Sequence, residues 1–243
     1  MRTLKSGLFA LSWTQGSGLD AANVRTADDA VMHGMSARRA AAFSMGRLCA
    51  RTAIGELGGD PGELRRLPSG AVDWPAGWTG SISHSKDVAI ACVGSMSILS
   101  GIGVDIEPDV PMPKESSLAL ARDNFIGPAG RLRASGSRVG FCARESAFKA
   151  LSTIGRDVPI LGMVVTVWMQ TDKRGRFVVE IDDGSSEVVK GRWFMLTDSM
   201  LMATVIIPGW NTPTSHRIFS DIQRTTNDAA FCSLETEFCN GQE

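Results

Sequence analysis

The stretch that most constrains this chain is Gly101-Ile102-Gly103-Val104-Asp105-Ile106-Glu107-Pro108. Acidic and apolar residues alternate there behind two glycines. A period of two predicts a strand, with Asp105 and Glu107 on one face and Val104 and Ile106 entering the core. Side chains at i and i+2 on a strand start about 7 Å apart. Carboxylates that close repel one another unless a cation lies between them. An all-oxygen donor set suits a hard ion such as Mg2+ or Mn2+. Taken alone, however, an Asp-x-Glu is an ordinary pair of acids on a solvent-facing edge strand. The rest of the chain has to decide.

With 243 residues, 43% of them hydrophobic and 21% charged, the composition is that of a soluble globular protein with room for two lobes. A net charge of -1 gives no global case for nucleic acid or an anionic membrane, so any anion site must be local. No run approaches the roughly twenty apolar residues of a membrane span. The start, Met1 to Leu11, is basic and briefly apolar. It is broken by Ser12, Thr14 and Gln15 without a small-residue cleavage site, so no secretory signal is expected. The five cysteines (Cys49, Cys92, Cys142, Cys232, Cys239) are scattered and form no Cys-x-x-Cys pair, which reads as reduced cytoplasmic thiols.

Along the chain, Leu8 to Trp13 reads as a strand. Ser36 caps an Ala- and Arg-rich helix that ends at Gly58-Gly59-Asp60-Pro61. Arg47 and Arg51 lie one turn apart on that helix, as do Arg39 and Phe43. Such a face is either a solvated basic stripe or an anion cradle. Residues 61–80 read as irregular loop, continuing into Gly80-Ser81-Ile82-Ser83-His84-Ser85. Val88 to Gly94 is a buried strand that would pair with the 101–108 strand and bring Ser83 and His84 near Asp105. Pro108, Pro111 and Pro113 mark a linker, and Ser116 to Asn124 reads as a short helix. A second helix starts near Ser135 or Ser137 and carries Phe141, Arg144, Glu145, Phe148 and Lys149. Its Glu145 and Lys149 sit at i,i+4, the spacing of a plain helix salt bridge. Met163–Trp168, Phe177–Ile181, Val188–Leu196 and Leu201–Ile207 then read as a strand meander covering that helix.

Four motifs thus stand in order: an Arg-rich helix, Ser-x-Ser-His-Ser, Gly-x-Asp-x-Glu and Phe-x-x-Arg-Glu-x-x-x-Lys. In this order and spacing, over residues 38–150, the chain resembles the 4′-phosphopantetheinyl transferases of the larger, surfactin/enterobactin-synthetase-activating type. The resemblance implies an α+β pseudo-dimer of two similar halves with the active site in the cleft between them. The halves are expected at 1–108 and 109–215, followed by a polar tail at 216–243.

The resemblance further implies transfer of the 4′-phosphopantetheine of coenzyme A, as co-substrate, to a serine of an apo acyl or peptidyl carrier protein. The family's metal ligands fall on Asp105, Glu107 and Glu145, with Mg2+ expected and Mn2+ as its substitute. Its catalytic groups fall on Glu145, Glu107 and Lys149, Glu145 being the first choice of base and Glu107 the second. Contacts to the coenzyme phosphates fall on Arg47, Ser83, His84 and Lys149, with Arg39 and Arg51 as further candidates. A cytoplasmic monomer serving siderophore or polyketide carriers is the expected setting, with no nucleic-acid partner. A carrier-docking patch is assigned to Ser116–Arg138, with Phe125, Ile126, Arg131 and Arg133.

Two positions depart from the family pattern. Arg144 stands where relatives often have Lys, and Ser69-Gly70 where many have a basic residue that Arg65 or Arg66 would replace. Rival readings are a non-catalytic coenzyme- or carrier-binding protein of the same fold and a Mg2+-dependent phosphohydrolase. A serine hydrolase is disfavoured, because no Gly-x-Ser-x-Gly elbow is present.

Overall fold

The computed structural model describes residues 1–5, 8–16, 32, 34–118, 120–127, 136–185 and 187–209. Two compact units emerge, Met1–Ser100 with Pro208 onward, and Gly101–Ile207. The change of unit falls inside a strand, Leu99–Pro108. The 216–243 segment lies outside the described residues.

The first unit is a four-stranded antiparallel sheet under one helix. The strands are β1 (Arg2–Lys5), β2 (Phe9–Gln15), β5 (Trp78–Ser85) and β6 (Val88–Ser95), in the order β1-β2-β6-β5. Helix α1 (Ala37–Glu56) covers them. Ser36 caps it by accepting the Arg39 N–H at 3.4 Å. It stops where Gly58 takes φ +80° and Gly59 N–H returns to the Ile54 carbonyl, a glycine-terminated helix end. Its buried side is mostly small (Ala42, Gly46, Cys49, Ala50, Ala53), which lets the backbone lie close to the sheet. A short ribbon, β3 (Arg65–Arg66) with β4 (Val72–Asp73), replaces part of the expected 61–80 loop.

Two expectations fail in this unit. Gly80–Ser85 is strand, not loop. It has almost no aliphatic content of its own, but the wholly buried β6 beside it supplies the apolar partner, and Lys86 at φ +54° closes the tight turn. Secondly, β6 pairs with β2 and β5 and makes no hairpin with the next strand, β7 (Leu99–Pro108), which joins the other sheet.

The second unit holds a six-stranded sheet, β7-β12-β11-β10-β9-β8. Its other strands are β8 (Asn124–Ile126), β9 (Met163–Met169), β10 (Arg174–Ile181), β11 (Val188–Thr197) and β12 (Met200–Pro208). β9 to β12 form the expected antiparallel meander, and β8 adds parallel to β9. Helix α2 is confined to Lys114–Leu118, so the helix expected through Asn124 is a short helix followed by a strand. Helix α3 (Gly136–Thr153) packs Val139, Ala143, Ala147, Ala150 and Leu151 onto Val165, Phe177, Val179 and Trp193 of the sheet. Alternation in β10 is strict, with Gly175, Phe177, Val179 and Ile181 buried and Arg176 and Glu180 exposed. Each unit is thus one long helix on a mainly antiparallel sheet, an α+β architecture. Among the described residues, no helix is long and apolar enough to cross a membrane.

Candidate active site

In the second unit the site grows from the contact between β7 and α3. Gly101, Gly103, Asp105 and Glu107 occupy alternate positions of β7 and so share one face. A Cβ on Gly103 would run into the Ser146 carbonyl oxygen, and one on Gly101 would lie 2.7 Å from the Ala150 carbonyl oxygen. The two glycines therefore let the helix settle on the strand backbone. One turn along, the same face carries the acids. The alternative of a solvent-facing edge strand does not hold, because β7 is buried on both faces from Gly101 through Ile106. Asp105 is only 5% exposed.

The helix answers with a stripe at 138, 142, 145 and 149, the spacing of one helical face. Lys149 Nζ donates to Asp105 Oδ1 at 2.7 Å and to the Val104 carbonyl at 3.2 Å. The plain helix pair between Lys149 and Glu145 is not what forms; the lysine turns to the strand. Cys142 Sγ donates to the Asp105 carbonyl at 3.2 Å. Arg138 Nη1 reaches Glu107 Oε2 at 3.1 Å, with side chains only 14% and 20% exposed. Arg138 is a site residue that the motif reading missed. Its signal was present: 138 is seven residues before 145, two turns along the same face.

Burial pushes the Glu107 carboxyl above the ordinary glutamate range. The Asp105 charge adds to this, while Arg138 and Lys149 oppose it. The Glu145 carboxyl is raised for the same reasons, burial first and Asp105 second, with Lys149 opposing. Two glutamates whose ionised forms are disfavoured beside the Asp105 charge are donor chemistry that a hard divalent cation relieves. Among the described residues, no three His, Cys, Asp or Glu side chains are assembled as a metal cage. Asp105 and Glu107 instead hold the ammonium and the guanidinium of α3.

Arg144, the departure from the usual Lys, points the other way. Its fork makes two hydrogen bonds to the Asp123 carboxylate, and Nε and Nη2 donate to the Met163 carbonyl at 3.2 and 3.0 Å. Both side chains are essentially buried, at 2% and 0% exposure. Asp123 also accepts the Val165 N–H at 3.0 Å. A planar fork satisfies both carboxylate oxygens and a carbonyl at once, which an ammonium cannot. Arg144 therefore anchors α3 to the start of β8 and to β9.

The phosphate candidates of the first unit are differently placed. Arg39 is exposed near the start of α1. Arg47 is buried at 5% exposure, donates Nε to the Leu64 carbonyl at 2.9 Å and lies over the Phe43 ring at 4.4 Å. Arg51 is half-buried, and its Nε has no hydrogen-bond partner among the described residues. Ser83 and His84 are consecutive in β5 and so face opposite sides of the sheet, Ser83 buried and His84 exposed. Arg65 and Arg66 are exposed on β3, Arg65 with Glu63 as its partner. Of the docking residues, Phe125 packs on the core, Ile126 is 48% exposed, and Arg131 and Arg133 lie outside the described residues.

The arrangement defines an α+β protein with a carboxylate–cation site on a strand–helix contact. Residues 27–94 match the family model described as the 4′-phosphopantetheinyl transferase N-terminal domain. The chain is 37% identical over 113 residues to 4′-phosphopantetheinyl transferase Svp of Streptomyces mobaraensis, covering 44% of this chain and 46% of that protein. It is 29% identical over 184 residues to 4′-phosphopantetheinyl transferase PptT of Mycobacterium tuberculosis, covering 70% and 80%. Over 153 residues it is 29% identical to 4′-phosphopantetheinyl transferase Npt of Nocardia iowensis, covering 61% and 63%. The matched region thus spans less than two thirds of Svp and of Npt. Together these matches make the chain similar to 4′-phosphopantetheinyl transferases.

Proposed function

We propose that the chain transfers the 4′-phosphopantetheine arm of coenzyme A to a serine of an apo acyl or peptidyl carrier protein, as a cytoplasmic transferase of the larger, surfactin/enterobactin-synthetase-activating type. The observation that carries this reading is the stripe of α3 against the acids of β7, Lys149 on Asp105 and Arg138 on Glu107 with Glu145 between them on the helix. A generic anion site needs no acids, and a structural ion pair needs only one. Three carboxylates with two cations suit a substrate that is itself a phosphate and brings a metal.

Asp105, Glu107 and Glu145 are the residues that would hold Mg2+, which when bound supplies charge neutralisation on the pyrophosphate. Lys149 supplies a cation for the pyrophosphate oxygens. Glu145 is the first candidate for the base that takes the Oγ proton of the carrier serine, directly or through a water. A carboxylate bound to the ion is a poor base, so the two roles compete at this residue. The serine oxygen then forms its bond to the β-phosphorus as the anhydride bond breaks, and adenosine 3′,5′-bisphosphate leaves. Glu107 is the second candidate for the base. Arg39, Arg47, Arg51, Ser83 and His84 are proposed for the coenzyme phosphates. Arg39 and His84 are exposed, whereas the buried Arg47 donates to the Leu64 carbonyl.

The deciding experiment incubates the full chain with coenzyme A, Mg2+ and apo carrier proteins and reads intact mass. The carrier is expected to gain one phosphopantetheine. No gain on any of several carriers sinks the reading, and phosphate release without carrier modification selects the phosphohydrolase instead.

A further inference from the structure

Arg138 does more than touch Glu107. Its Nη1 takes the carboxylate, its Nε donates to the Val110 carbonyl at 3.4 Å and its Nη2 to the Pro111 carbonyl at 3.4 Å. All three nitrogens of the guanidinium therefore grip the chain as it leaves β7. We propose that Arg138 is the positioning residue of Glu107 and its counter-ion, so that a divalent cation gains Glu107 only by displacing a guanidinium. The proposal rests on the reading of Asp105, Glu107 and Glu145 as ion-holding carboxylates.

Three features separate this contact from a surface ion pair. The side chains are 14% and 20% exposed, so solvent screens them weakly. The two carbonyl contacts fix the guanidinium plane, and a lysine, with one nitrogen, cannot span Glu107, Val110 and Pro111 together. Finally, each acid of β7 has its own cation from α3, Lys149 for Asp105 and Arg138 for Glu107. Against the three carboxylates Asp105, Glu107 and Glu145, α3 thus sets two cations, Lys149 and Arg138.

Two effects of removing Arg138 oppose each other. Glu107 loses its orientation, which weakens ion binding by the entropy of one side chain. The ion loses a neighbouring positive charge, which strengthens binding. A doubly charged ion against a fixed cation in a poorly solvated site is the larger of the two. Arg138 therefore restrains metal uptake while keeping Glu107 aimed.

The test titrates Mn2+ into the full chain, reading the free ion by electron paramagnetic resonance, and measures transfer kinetics alongside. Arg138→Gln is expected to bind Mn2+ about tenfold more tightly than wild type through loss of a neighbouring positive charge, and to lose about tenfold in kcat as Glu107 is held less well. Arg138→Lys keeps the charge, so its Mn2+ affinity is expected within about twofold of wild type while kcat still falls. A folded Arg138→Gln with unchanged or weaker Mn2+ affinity overturns the counter-ion role. If the Gln variant fails to fold, the Lys variant decides, and wild-type kcat there overturns the positioning role. Wild-type protein that binds no Mn2+ overturns the carboxylate reading itself. Mn2+ binding indifferent to Arg138 overturns this inference alone.

Discussion

At the scale of single residues, neighbouring positions on α3 have opposite duties. Glu145 is half-buried and faces the acids of β7 electrostatically, while Arg144 beside it is wholly buried against Asp123. Removing one partner from a buried pair leaves an uncompensated charge, so Asp123→Ala should cost about 3–5 kcal/mol. Arg144→Lys keeps the charge but loses the fork, and about 1–3 kcal/mol is expected. Chemical denaturation of both variants checks this, and a loss under about 0.5 kcal/mol in each would show the pair to be dispensable. The pair also explains why this chain can depart from the usual lysine. From the sequence, Arg144 was a charge beside a motif, because its partner lies 21 residues away in the chain.

At the scale of elements, the glycines of β7 matter as much as its acids. Gly103→Ala places a methyl against the Ser146 carbonyl, which is backbone and cannot swing aside. A loss of about 3 kcal/mol is expected, together with loss of transfer, since α3 must move off the strand that carries Asp105 and Glu107. Gly55→Ala in α1 is the control. Open space surrounds it, and a helical alanine there should raise stability by about 0.5–1 kcal/mol. Thermal melts of the two variants separate close approach from helix propensity, and equal melting temperatures would refute the packing argument. The Gly-x-Asp-x-Glu alternation is legible in the sequence, whereas the role of its glycines depends on α3, which lies far along the chain. β5 shows the reverse case, a strand with a single aliphatic residue, Ile82, whose apolar partner is the next strand of its hairpin.

At the scale of the whole molecule, three buried thiols report on both units, Cys49 and Cys92 in the first and Cys142 in the second. Burial pushes Cys49 and Cys92 up to about 12, and Cys142 also well above its usual value. Raised values favour the neutral thiol, so at pH 8 none of the three should be nucleophilic in the folded chain. With a disulfide reagent, Cys49, Cys92 and Cys142 are expected to stay unmodified by peptide mapping until denaturant unfolds their unit. Rapid labelling of any of them in native protein would contradict the burial. Modification of Cys142 at a denaturant concentration different from that for Cys49 and Cys92 would show the units unfolding independently.

The order of the helices, the four-strand meander and the ordered set of motifs were written in local pattern. Period two and period 3.6 are properties of neighbouring residues. The acids at 105 and 107 and the Glu145–Lys149 spacing were legible for the same reason. Three things required the folded chain: the departure of β7 from β6 into the second sheet, the turn of Lys149 away from Glu145 to Asp105, and the grip of Arg138 on Glu107. Each joins residues roughly 30 to 100 positions apart. Which distant partners meet is decided by packing and desolvation, and local periodicity does not encode them.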